Sequence, residues 1–119
     1  MQSSSSYFSR SYEDARRRFL LAAKPLATHF QSYVIEPAGR AGEVLATDVA
    51  LLGAPDAQRL LIMTSATHGV EGFCGSGCQL ALLDDAGMLE RARKAGVAVL
   101  LVHAVNPFGF SWLARTNED

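Results

Sequence analysis

The chain has 119 residues, with 11 Lys and Arg against 12 Asp and Glu for a net charge of -1, and it is 49% apolar and 19% charged. That profile fits one globular domain with a buried core and argues against disorder outside the first residues. It also leaves no electrostatic footprint for nucleic acid or an acidic membrane surface, and no stretch reaches the ~20 consecutive apolar residues of a spanning helix.

The opening, MQSSSSYFSRSYEDARRR, lacks the basic start and apolar segment of a secretory signal, so the cytoplasm is the expected location. Residues 1–10 carry a serine run with little apolar anchor and are expected to fray. Ser11 followed by Glu13 and Asp14 marks a helix start, and Ala15, Phe19, Leu20, Ala22 and Ala23 recur at helical spacing. The helix is expected to reach about Phe30, kinked or divided at Pro25. Within it, Arg16, Arg17 and Arg18 read as a solvated face, and His29 reads as a helix-terminal histidine near free carbonyls.

QSYVIEP and VLATDVALLG, separated by the glycines of AGRAGE, predict a β-hairpin. Residues 59–66, RLLIMTSA, form an apolar run without alternation, the pattern of a central strand buried on both faces. Residues 78–85 begin a helical stretch, GMLERARKAG supplies another ended by Gly96, and VAVLLVHAV at 97–105 is a second doubly buried strand. Strand, helix and strand in that order make a parallel crossover unit, so the fold class is α/β, a mixed and largely parallel sheet flanked by helices. Residues 1–119 read as a single domain without repeat or linker.

Two segments follow the apolar strands, where open α/β sheets collect ligand chemistry. The first, THGVEGFCGSG, holds His68 and Glu71 three residues apart; on a helical turn their β-carbons lie about 5–6 Å apart, within reach of one cation. Imidazole with carboxylate suits zinc, which in catalytic sites takes three protein ligands and one water. Equally, a histidine and a glutamate at this spacing can simply hydrogen-bond in a turn, because H-x-x-E is common by chance. CGSGC completes neither G-x-G-x-x-G nor a P-loop, and Cys74 occupies the place of the first glycine of G-x-S-x-G, so its small residues read as close packing of helix on sheet. Cys74 and Cys78 share a helix face and read as reduced core residues, and His103, inside an apolar strand, as a satisfied core histidine.

Taken together, THGVEGFCGSGCQ and VHAVNPFGFSWLARTNED resemble the zinc carboxypeptidase superfamily of α/β metallopeptidases, the M14-like group, and within it the bacterial DUF2817 branch. The resemblance covers roughly the second half of the chain. It implies that His68 and Glu71 are two zinc ligands, and that Asn106, Pro107 and Gly109 match an N-P-x-G loop that shapes the site, with Phe108 replacing its usual acidic residue. Arg115 matches an arginine that polarises the scissile carbonyl. The superfamily's third zinc ligand, its carboxylate-binding residues and its general-base glutamate lie beyond Asp119. The chain is therefore expected to be the amino-terminal portion of a domain incomplete at its carboxyl end.

The implied activity of the complete protein is zinc-dependent hydrolysis of a peptide or amide bond, with the 119-residue chain inactive alone. Two further readings stand beside it: a zinc N-acyl amino acid deacylase, and a non-catalytic remnant serving as an interaction module. The expected partners are a peptide or N-acyl amino acid substrate, with neither nucleic acid nor membrane. Self-association is also expected, through a sheet edge left exposed by the incomplete domain.

Overall fold

The computed structural model describes residues 3–116. Helix α1 spans Tyr12–Ala23, followed by strands β1 (His29–Ile35), β2 (Leu45–Leu52) and β3 (Arg59–Thr64). Helices α2 (Gly72–Leu83) and α3 (Ala86–Lys94) lead to β4 (Val97–His103) and the short α4 (Pro107–Trp112).

Ser11 caps α1, its hydroxyl accepting from the Asp14 amide at 3.0 Å, with Glu13 and Asp14 in the first turn where the helix dipole favours acids. Ala15, Phe19 and Ala23 fall four apart and are all buried. The helix stops at Ala23, short of the expected Phe30: Lys24 keeps helical backbone as its cap, but Pro25 supplies no amide to extend the ladder. Thr28 then donates to the Leu51 carbonyl at 2.8 Å, and His29 opens β1, correcting its expected place at a helix end. Residues 4–7 form a 3-10 turn instead of fraying. There Tyr7 is buried and donates to Asp84 at 2.5 Å, while Arg18 holds the Ser6 and Tyr7 carbonyls. The expectation for residues 1 and 2 lies outside the described residues.

The four strands form one mixed sheet in the order β1-β2-β4-β3. β1 and β2 make the expected antiparallel hairpin, from His29 opposite Leu51 to Ile35 opposite Leu45. β2 pairs antiparallel with β4, and only β3 with β4 is parallel, joined through α2 and α3. The mixed α/β class holds, whereas two of these three ladders are antiparallel because the hairpin lays β2 directly against β4. β4 is central and mostly buried. β3 instead lies at the edge among the described strands, with Leu60, Leu61 and Ile62 each about half exposed, which corrects the expected doubly buried position. An apolar run marks a strand but cannot tell whether neighbours cover it.

The core lies on one face of the sheet. Phe19 and Ala23 of α1 and Leu83 of α2 pack on Ala50, Leu52, Val99 and Leu101. Side chains of opposite parity, such as Val49, Leu100 and Val102, are only half-buried. α2 begins at Gly72, six residues before the expected start, so Cys74 and Cys78 both lie on it. Both are exposed, against the expectation of core cysteines. The glycines do serve close packing: a β-carbon on Gly75 would stand 2.9 Å from that of Ser65, and one on Gly77 2.8 Å from the Phe8 ring.

Candidate functional site

The carboxyl ends of β3 and β4 stay tied together after the regular ladder stops. Ser65 donates its amide to the Val102 carbonyl at 3.1 Å; the Val105 and Asn106 amides donate back to the Ser65 and Ala66 carbonyls at 2.9 and 2.8 Å. The Ser65 hydroxyl accepts the Ala104 amide at 3.1 Å. Ala66 and Ala104, both buried, take left-handed backbone at φ 56° and 64°, which costs a non-glycine residue on the order of 1 kcal/mol. These two kinks turn both chains sharply out of the sheet. No sequence signal announces them, since alanine rarely adopts that conformation.

The first chain then forms a tight turn over residues 67–72, closed by the Gly72 amide donating to the Gly69 carbonyl at 3.0 Å. His68 and Glu71 are both exposed on it. Glu71 occupies the amino-terminal cap position of α2 in helical backbone, and its carbonyl accepts from the Cys74 and Gly75 amides. Its carboxylate makes no capping hydrogen bond, so it remains available as an anionic donor group.

The second chain folds back beside the first. Asn106 caps α4, its side-chain oxygen accepting the Gly109 amide at 3.0 Å, and Pro107 sits in the first turn where its missing amide costs nothing. Leu113 ends α4 at φ 58°, and Ala114 returns its amide to the Gly109 carbonyl at 2.9 Å. Gly69 donates to the Arg115 carbonyl at 3.2 Å and lies so close to Gly109 and Ala114 that a β-carbon on it would collide with their backbones. The N-P-x-G pattern is thus a helix cap followed by a glycine that permits loop contact. It brings the backbone of Arg115, whose residue is exposed, beside the residue that follows His68.

Behind this corner is a polar core that sequence reasoning found only at His103. Asp48, fully buried, accepts two hydrogen bonds from Arg16 at 2.8 and 3.1 Å and one from Ser32 at 2.5 Å. His103, opposite Asp48 in the β2–β4 ladder, shares a 2.9 Å hydrogen bond through Nε2 with buried Ser76 and stacks on Phe19. Burial pushes its pKa down to about 4. Its Nδ1 has no hydrogen-bond partner, so the expected satisfied histidine is satisfied on one side only. Ser76, His103 and Asp48 do not form a catalytic triad. Asp48 is occupied by Arg16 and Ser32, Nδ1 is unbonded, and all three residues are sealed from solvent.

A family model described as "Protein of unknown function (DUF2817)" matches residues 8–119. The chain belongs to the DUF2817 family. Comparison of this DUF2817 chain with curated proteins finds no match. Among solved structures it is similar to a glutaminyl cyclase of Porphyromonas gingivalis, at 16% identity and a TM-score of 0.36, over 89% of this chain and 50% of that one. The DUF2817 chain therefore spans half the length of that enzyme, and a likeness this distant transfers no residue.

His68 and Glu71 offer donor types that suit zinc. Among the described residues, however, no group of three His, Cys, Asp or Glu side chains is placed to hold a metal ion. A catalytic zinc centre takes three protein ligands, so these two residues alone do not fit one.

Proposed function

We propose that residues 67–72 and 106–115 form one side of a zinc-dependent hydrolase site acting on peptide or amide bonds, completed by ligands that the described residues do not supply. The observation that supports this reading is the cross-tie from Gly69 to Arg115, which joins the H-x-x-E turn to the segment holding the arginine, at the strand ends where α/β sheets place their chemistry. His68 and Glu71 contribute two metal ligands. The Arg115 guanidinium, always charged, serves to hold a carbonyl oxygen as it gains negative charge. A zinc with three protein ligands lowers the pKa of its water to about 7; two ligands do not impose that geometry, so the 119-residue chain is expected to be catalytically inert. Membership of the M14-like superfamily belongs to the same proposal, as does an N-acyl amino acid in place of a peptide substrate.

Zinc titration of the chain at neutral pH tests the metal corner. Binding is expected at or tighter than about millimolar, roughly 4 kcal/mol, and His68→Ala and Glu71→Gln should each abolish it. Affinity indifferent to both substitutions would remove zinc from this corner and favour the non-catalytic module.

A further inference from the structure

The CGSGC segment takes no part in the proposed hydrolase site, yet α2 arranges it as a pair of functional groups. Cys74 and Cys78, four residues apart on one helix, share a face, and both are exposed free thiols. The residues between them turn the other way: Gly75 packs on Ser65, Ser76 reaches His103, and Gly77 lies against Phe8 and the Tyr7 carbonyl. Nothing bulky from the intervening segment screens the two sulfurs.

We propose that Cys74 and Cys78 form a two-coordinate site for a single soft, thiophilic cation of the copper(I) class. On a helix, β-carbons four residues apart stand about 5–6 Å from each other, whereas a disulfide requires about 3.5–4.5 Å. Intact α2 therefore keeps the thiols from closing an S–S bond, while one cation seated between two sulfurs spans a longer gap. Thiolates select copper(I), and copper(I) is content with two of them. Zinc is the poorer occupant because its sites take four ligands and no third His, Cys, Asp or Glu is placed to join this pair among the described residues. Burial first, and then the neighbouring Cys74, push the Cys78 thiol above its ordinary pKa. Binding breaks both S–H bonds and forms two S–Cu bonds, so each copper(I) taken up releases two protons and no electron is exchanged.

The reduced, metal-free chain, titrated anaerobically with copper(I) against a chromophoric copper(I) chelator, is expected to bind one ion per chain. Cys74→Ser and Cys78→Ser should each weaken binding by about 100-fold or more, the loss that follows when two linked contacts become one. His68→Ala and Glu71→Gln should leave it unchanged, which separates this site from the proposed zinc corner. Copper(I) loading should also protect both cysteines of the unsubstituted chain from alkylation, read by mass. A single-serine variant binding as tightly as the unsubstituted chain, a stoichiometry other than one, or a cysteine still alkylated in the loaded protein would overturn the proposal.

Discussion

A methyl group at Gly69 would meet the backbones of Gly109 and Ala114, and no side-chain movement could relieve it. Gly69→Ala is therefore expected to cost about 1–3 kcal/mol by overpacking and to separate the H-x-x-E turn from the Arg115 segment. Thermal unfolding and zinc titration of the same variant would read both effects; an unchanged zinc affinity would show that the cross-tie does not organise the corner. His103 makes a second residue-scale prediction. Its folded pKa of about 4 lies below the ordinary 6.5, so the neutral ring is favoured in the folded state. The stability this contributes is complete above about pH 6.5 and is lost as pH falls through about 4, on the order of 3 kcal/mol. Denaturant unfolding at pH 7 and pH 4 should thus show a larger loss for the unsubstituted chain than for His103→Gln, whose amide does not titrate. At this scale His68, Glu71 and Arg115 could be singled out in the sequence because their residue types suit the proposed chemistry. The alanines at φ 56° and 64° were not, since nothing in an alanine predicts a left-handed kink imposed by its neighbours.

Elements were readable where local chemistry sets their ends. Ser11 accepts an amide in the first turn of α1 and Gly96 closes the last turn of α3 at φ 71°, as their residue types announced. Asp85 caps α3 and Asn106, read from the sequence as part of a loop, caps α4; Asn106→Ala is expected to lower stability by about 1 kcal/mol. A midpoint shift in urea with unchanged slope would report the loss of a cap; no shift would mean that Gly69 and Ala114 hold α4 without it. The start of α2 escaped the sequence because GFCGSG is poor in helix formers. Packing overrides that weakness: Gly72, Gly75 and Gly77 let the helix approach Phe110, Ser65 and Phe8 more closely than any side chain would allow. Cys74 and Cys78 share a helix face as expected, but that face is exposed and not in the core.

At the scale of the whole molecule, the place of β3 at the edge of the described strands has a physical consequence. Leu60, Leu61 and Ile62 expose apolar surface beside unpaired backbone groups, the template on which strands pair between chains. Sedimentation is expected to show concentration-dependent association, relieved by Ile62→Lys, which places a charge on that edge; a monomer at high concentration would contradict it. The amino-acid sequence by itself determined the α/β class, the hairpin, the parallel crossover and the residue types at the corner, because periodicity, caps and turn residues are local. Only the tertiary structure decided that β3 is an edge strand, that α2 starts at Gly72, and that Gly69 meets Arg115, since each depends on which surfaces meet across long stretches of chain.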